Sequence, residues 1–388
     1  MRQALSDPAV LALMVAQTLT WAAIFYVFPA LVLHWQAEFG WTGGEAMGAF
    51  SLALAVQGLV AGRAGGLIDR GRAPLSMPGG VVLGCVGLAL LTRVETLWQF
   101  YAVWAVMGLA MSLTLYDAAF ALVIRGRHET ARAAITAITL VAGFASTIAY
   151  PLTAWVSESA GWREAVWVLV ALVLLLALPG AAFAARRLER DGARTAPPAH
   201  APGPAPRHRP GFLPLAIGLG LSALAVGIVT SHLLPLFAAL GVASAVAVLA
   251  ASLVGPAQVA GRIVLMTAGA RGPARGLAAA ALAGMGLAAA ILLAAGAWPL
   301  AVLAFALLHG MFYGMVSILR PLAIRETLGP RDFGAVQGAV VRPSLMAFAA
   351  APFVAALLAD TLGYGAVIAL CVAAQGAGAA LLLRLPRG

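Results

Sequence analysis

Residues 186–210 read RRLERDGARTAPPAHAPGPAPRHRP. Every other long segment of the chain is apolar, whereas this one carries six arginines and a run of proline and alanine without helical periodicity. Such a composition buries too little apolar surface to offset the entropy of ordering it, so the stretch reads as a flexible, partly extended linker. It lies near the midpoint of a 388-residue chain. The expected organisation is an amino-terminal half over 1–185, a basic proline-rich linker over 186–211 and a carboxyl-terminal half over 212–388.

The halves are too apolar for a water-soluble domain. Hydrophobic residues make up 62% of the chain, charged residues 10%, and the mean hydropathy is +0.97. Soluble domains carry roughly 25% charged residues. Apolar runs of about 20 residues match the thickness of a bilayer, and the frequent Gly and Pro are tolerated in spanning helices. The fold class is an all-α polytopic membrane protein. Twelve spans are predicted, over roughly 9–33, 44–68, 76–92, 97–124, 133–157, 163–185, 212–237, 243–268, 276–296, 298–320, 334–358 and 362–384. An even count puts both tails on the same side.

The formal charge of +10 would suggest nucleic acid as partner in a soluble protein. Here all 24 basic residues are arginine, and they fall in alternate loops and in the tail. Arg93 and Arg163 are the exceptions; Glu38, Glu45, Glu95, Glu158, Glu164 and Asp360 gather on their side. This positive-inside pattern puts both termini in the cytoplasm of a multi-pass protein, with a bacterial-type inner membrane expected and no nucleic acid. Cys85 and Cys371 lie in separate apolar segments and read as packing residues. No cleavable signal peptide is expected, because the first apolar run is long enough to span.

Matching landmarks recur in both halves. Val60-Ala61-Gly62-Arg63 ends the second span and Val259-Ala260-Gly261-Arg262 the eighth; Pro151 and Pro352 mark the fifth and eleventh; Pro29 and Pro235 the first and seventh. Duplicated six-helix halves with a midplane site are an established transporter plan.

The stretch Gly65-Gly66-Leu67-Ile68-Asp69-Arg70-Gly71-Arg72 resembles the loop between helices two and three of the major facilitator superfamily, G-x-L-a-D-R-x-G-R, with one residue fewer before the second glycine. The resemblance implies two six-helix bundles, a protein that commonly works as a monomer, and a loop that latches the cytoplasmic side. Asp69 would then face the start of the eleventh helix near Phe333 and Gly334, with Arg70 and Arg72 pairing nearby; a carboxylate at a helix amino terminus gains roughly 0.3–1 kcal/mol. The plainer alternative is that these arginines only set topology.

An ionisable group deep in a span costs about 2.5–3.5 kcal/mol on insertion scales, so each needs a reason. Asp117, mid-way along the fourth span, is either a proton carrier or a structural acid paired with an arginine. Gln258 and Arg262 share one helical face, four residues apart. A guanidinium beside an amide suits a carboxylate. Their spacing resembles the eighth helix of the monocarboxylate and oxalate branch, which implies a substrate-binding Arg262; a helix-end anchor is the other reading. Arg342 either snorkels to the surface or adds an anion contact. His232 and His309 titrate near neutrality if solvated, or pack as neutral rings. Tyr26, Tyr116 and Tyr150, with Trp21, Phe25 and Phe144, line a cavity or simply pack. Trp35, Trp41, Trp98, Trp155 and Trp162 read as interfacial anchors.

No phosphate-cradling G-x-x-x-x-G-K-[ST] and no Cys/His cluster of ligand spacing occurs. The expectation is a non-enzymatic secondary transporter without cofactor or metal, moving a small organic anion such as a monocarboxylate by proton-coupled symport and alternating access. The alternative is a proton-coupled drug or metabolite exporter, whose fifth-helix pattern G-x-x-x-G-P-x-x-G-G is absent. A receptor or assembly factor would need an extramembrane domain.

Overall fold

The computed structural model describes residues 6–127, 130–192, 209–267, 272–295, 298, 300–329 and 333–385, with side chains in the last stretch from 336. Among them are twelve helices long and apolar enough to cross a membrane, and no strand. We number them α1 (Pro8–Phe39), α2 (Gly43–Asp69), α3 (Ala73–Leu91), α4 (Leu97–Gly126), α5 (Ala131–Ser159), α6 (Trp162–Gly192), α7 (Phe212–Ala239), α8 (Ser244–Thr267), α9 (Ala274–Ala294), α10 (Ala301–Leu328), α11 (Val336–Leu362) and α12 (Tyr364–Leu383).

Three helix ends lie well beyond expectation. In one, α1 runs to Phe39 where the first span was expected to end at 33. Residues 186–192, read as linker, are the last turns of α6. Leu188 is fully buried and Glu189 is 8% exposed there, so packing on one face holds the helix beyond the apolar run. The remainder of the expected linker, 193–208, lies outside the described residues. Likewise α10 continues beyond 320 to Leu328, with Arg325 in its last turn, where a cation is favoured by the helix dipole.

Contacts divide the chain into two compact units, Met1–Pro198 and Ala199–Gly388. Within the first, the most extensively packed pairs are α1–α5, α1–α6, α2–α4, α3–α4 and α3–α6. Within the second they are α7–α11, α7–α12, α8–α10, α9–α10 and α9–α12. The second set repeats the first with every helix advanced by six, which is the packing counterpart of the paired landmarks in the sequence.

The cores are filled differently. In the first unit Phe28 stacks on Phe50 at 4.3 Å and meets Trp104 edge-on at 4.7 Å, with Trp35 against Phe100 at 5.1 Å. Trp35 is fully buried and Trp162 is 6% exposed, so these two are core residues and not the interfacial anchors expected of them. Trp98 and Trp155 do stand out, about 70% exposed. In the second unit the core is mainly Ala, Leu, Val and Met from α7, α9, α10, α11 and α12. Cys85 and Cys371 are buried free thiols.

Regular helix is interrupted in the first unit. In α1 a π-helical turn spans Trp21–Phe25, four residues ahead of Pro29, which has no N–H for the Phe25 carbonyl. A second π-turn, Val173–Ala177, precedes Pro179 in α6. Leu115 is extended and splits α4 into Leu97–Thr114 and Tyr116–Gly126. Residues 143–144 divide α5.

Candidate functional site

In the carboxyl-terminal unit α8 and α10 approach backbone to backbone. A Cβ on Gly314 would lie 2.1 Å from the Gln258 carbonyl oxygen, and one on Gly261 would lie 2.0 Å from that of Met311. Only hydrogen fits there, which locks the register of the two helices. In that register Gln258 and Arg262, each 7% exposed, are enclosed against α10. Arg262 donates its Nε–H to Ser317 Oγ at 3.2 Å, and Ser317 donates to the Gly314 carbonyl at 2.6 Å. Arg320 Nε has no hydrogen-bond partner among the described residues.

His309 belongs to the same face of α10. It is 3% exposed, stacks between Phe305 at 5.1 Å and Tyr313 at 6.3 Å, and its Nδ1 lacks a partner among the described residues. His309, Tyr313, Ser317 and Arg320 recur at three- or four-residue steps and form a polar ladder. The reading of the sequence did not single out Tyr313, Ser317 and Arg320, although all three lie within the expected tenth span. Their helical spacing from His309 was the available signal.

His232 and Arg342 stand apart from this group. His232, 1% exposed, has Nε2 at 2.8 Å from the Pro352 carbonyl and Nδ1 at 3.0 Å from the Tyr364 hydroxyl. A carbonyl only accepts, so Nε2 carries the proton and Nδ1 accepts from tyrosine. The ring therefore ties α7 to α11 and α12. Arg342 is exposed on α11. Arg63, the repeat counterpart of Arg262, is exposed, so the two arginines occupy different environments despite the shared motif.

The amino-terminal unit gathers Tyr26, Tyr116 and Tyr150 around Trp21. Ring centroids are 4.7 Å apart for Trp21 and Tyr116, 6.4 Å for Trp21 and Tyr26, and 6.0 Å for Tyr26 and Tyr150. Tyr150 is 2% exposed, whereas Trp21, Tyr26 and Tyr116 are partly exposed. Asp117 is in the first turn of the second α4 segment, where a carboxylate is favoured by the helix dipole. It is exposed on the unit, not enclosed in the core as a deep acid was expected to be.

Asp69, Arg70 and Arg72 are exposed on the loop between α2 and α3. The loop backbone is held within its own unit. Arg125 donates to the Asp69 carbonyl at 3.0 Å and to Glu189 Oε1 at 2.9 Å. Gly71, at φ +77°, passes so close that a Cβ would lie 3.3 Å from Glu189 Oε1. Beside it Arg127 bonds Asp7 and, at 2.7 Å, Asp191. Asp7 in turn caps α1 by accepting from Ala9 N–H at 2.9 Å. Burial alone would raise the Asp7 carboxyl, but hydrogen bonds from Arg127 and the backbone and the Arg127 charge hold it below its ordinary range. The Arg127 guanidinium is raised chiefly by its hydrogen bond to Asp7. The side chains expected opposite Asp69, at Phe333 and Gly334, lie outside the described ones.

Among the described residues no group of three or more His, Cys, Asp or Glu side chains could hold a metal ion. Twelve spanning helices in two units of like pairing define a polytopic helical membrane protein. The family model of the Major Facilitator Superfamily matches residues 13–340, and the chain belongs to that family of membrane transporters. No match is found among curated proteins.

Proposed function

We propose that the chain is a proton-coupled secondary transporter of a small organic anion, such as a monocarboxylate, working by alternating access. The carrying observation is the enclosed pair Gln258 and Arg262, with Arg262 bonded to Ser317 of the polar ladder on α10. Holding a guanidinium there costs about 2.5–3.5 kcal/mol on insertion scales. A carboxylate ligand offsets that cost through charge-assisted hydrogen bonds, with the Gln258 amide and the Ser317 and Tyr313 hydroxyls orienting it. The spacing of Gln258 and Arg262, similar to that of the monocarboxylate and oxalate branch, supports the same class. His309 serves as a further polar contact and Arg342 as a second cation of the unit. Tyr26, Tyr116 and Tyr150 belong to the solute-facing set of the other unit, and His232 supports the frame. Asp117 takes up and releases the coupled proton, and the loop bearing Asp69, Arg70 and Arg72 gates the cytoplasmic side. The protein acts as a monomer without enzymatic activity, cofactor or nucleic acid, in a bacterial-type inner membrane with both termini cytoplasmic.

A thermal-shift series on the purified protein in detergent tests this reading, setting propionate and other small carboxylates against lipophilic cations at two pH values. A ligand at about 100 times its Kd stabilises by roughly 2.7 kcal/mol. Carboxylate stabilisation, lost in Arg262→Gln, is expected. Stabilisation by lipophilic cations alone would replace the anion reading with the exporter.

A further inference from the structure

Three of the four interruptions of helix in the amino-terminal unit, those of α1, α4 and α5, pack at one level. The π-turn of α1 brings Trp21 to 4.7 Å from Tyr116, just past the break in α4. Gln17, one turn earlier on α1, donates Nε2–H to the Thr114 carbonyl at 2.6 Å, where the first segment of α4 ends. Ala22 packs on Ala145 and Ala149, just past the break in α5. Irregular backbone at membrane depth is tolerated where it is packed in protein or lines a polar cavity.

Three polar atoms on these packed segments have no partner among the described residues. They are Gln17 Oε1, Trp21 Nε1 and Ser146 Oγ. Gln17 is 2% exposed and Ser146 1%. The Gln17 amide nitrogen is committed to Thr114, so the end it leaves over is an acceptor. The indole offers a donor and the serine hydroxyl offers either. The ring faces of Trp21, Tyr26 and Tyr116 add negative quadrupole.

We propose that this level binds a small ammonium ion of the amino-alcohol class, bearing N–H donors and one acceptor. The N–H groups bond Gln17 Oε1 and Ser146 Oγ, the acceptor takes the Trp21 N–H, and the aromatic faces stabilise the charge. A simple anion would face the acceptor Gln17 Oε1, and a quaternary ammonium would leave Gln17 and Ser146 unmet. This recognition point belongs to a different unit from Arg262 and goes beyond the anion reading.

The test uses the intact chain in detergent and three probes, ethanolammonium, tetramethylammonium and propionate, followed by calorimetric titration. Ethanolammonium is expected to bind, and tetramethylammonium to bind at least about tenfold more weakly for want of charged hydrogen bonds. Trp21→Phe and Ser146→Ala each remove one polar atom with little change of shape. Each should weaken ethanolammonium by about 3–10-fold and leave the propionate response as in the wild type. Arg262→Gln should do the reverse, so failure of one reading is told from failure of the other. Absence of ethanolammonium binding, equal binding of tetramethylammonium, or wild-type affinity in both variants would each overturn the proposal.

Discussion

Arg262 on α8 and Ser317 on α10 are joined by a 3.2 Å hydrogen bond that exists only because glycine lets the two backbones touch. The bond orients the guanidinium of a residue that is only 7% exposed. Arg262→Gln should lower propionate affinity by about 10–100-fold, the worth of a charge-assisted hydrogen bond. Calorimetry on folded mutant protein measures this, and an unchanged Kd would remove Arg262 from the site.

Asp117→Asn keeps the shape of the α4 break and removes the titrating group. Gradient-driven uptake into proteoliposomes should be lost while solute exchange at equal pH continues. Uptake that still follows an imposed pH gradient would make Asp117 structural.

Gly314→Ala sets a methyl group 2.1 Å from a backbone oxygen that no side-chain rotation can relieve. It should destabilise the protein by about 1–3 kcal/mol, as overpacking does. Gly338→Ala meets nothing within 4 Å and should be neutral or stabilise by up to about 1 kcal/mol. Thermal unfolding of the pair measures the difference; equal melting temperatures would show that α8 and α10 do not keep this register.

Tyr364→Phe leaves His232 Nδ1 as a buried acceptor without its donor. A loss of about 1–3 kcal/mol in stability with unaltered propionate affinity is expected. A change in affinity at constant stability would return His232 to the binding set.

Asp7 and Arg127 make stability depend on acid. The Asp7 carboxyl is held below its ordinary value of 3.8. Its contribution is therefore complete above that value and fades as pH falls through the depressed one. Asp7→Asn should cost about 1.5–3 kcal/mol at neutral pH. The gap from wild type should persist down to about pH 4 and close only as pH falls through the lowered value. A gap that persists unchanged to low pH would show that the Asp7 charge is not its source.

Composition and apolar run length were enough to read twelve spans, because a bilayer imposes one length and one polarity on every segment that crosses it. Paired landmarks such as Arg63 and Arg262 exposed the repeat, and the stretch from Gly65 to Arg72 pointed to the family. The same pairing of helices in both units follows from that duplication. Which intramembrane polar groups work together was a different matter. His232 and His309 look alike as sequence, yet one is bonded by Tyr364 and Pro352 and the other stands in a ladder with Tyr313. Arg63 and Arg262 share a motif, yet one is exposed and the other enclosed. Gln17 meets Thr114 across 97 residues, and no local spacing encodes that. Hydrophobic periodicity is a property of one helix and can be read along the chain, whereas burial and hydrogen-bond partnership depend on which face meets which neighbour, and tertiary packing alone decides that.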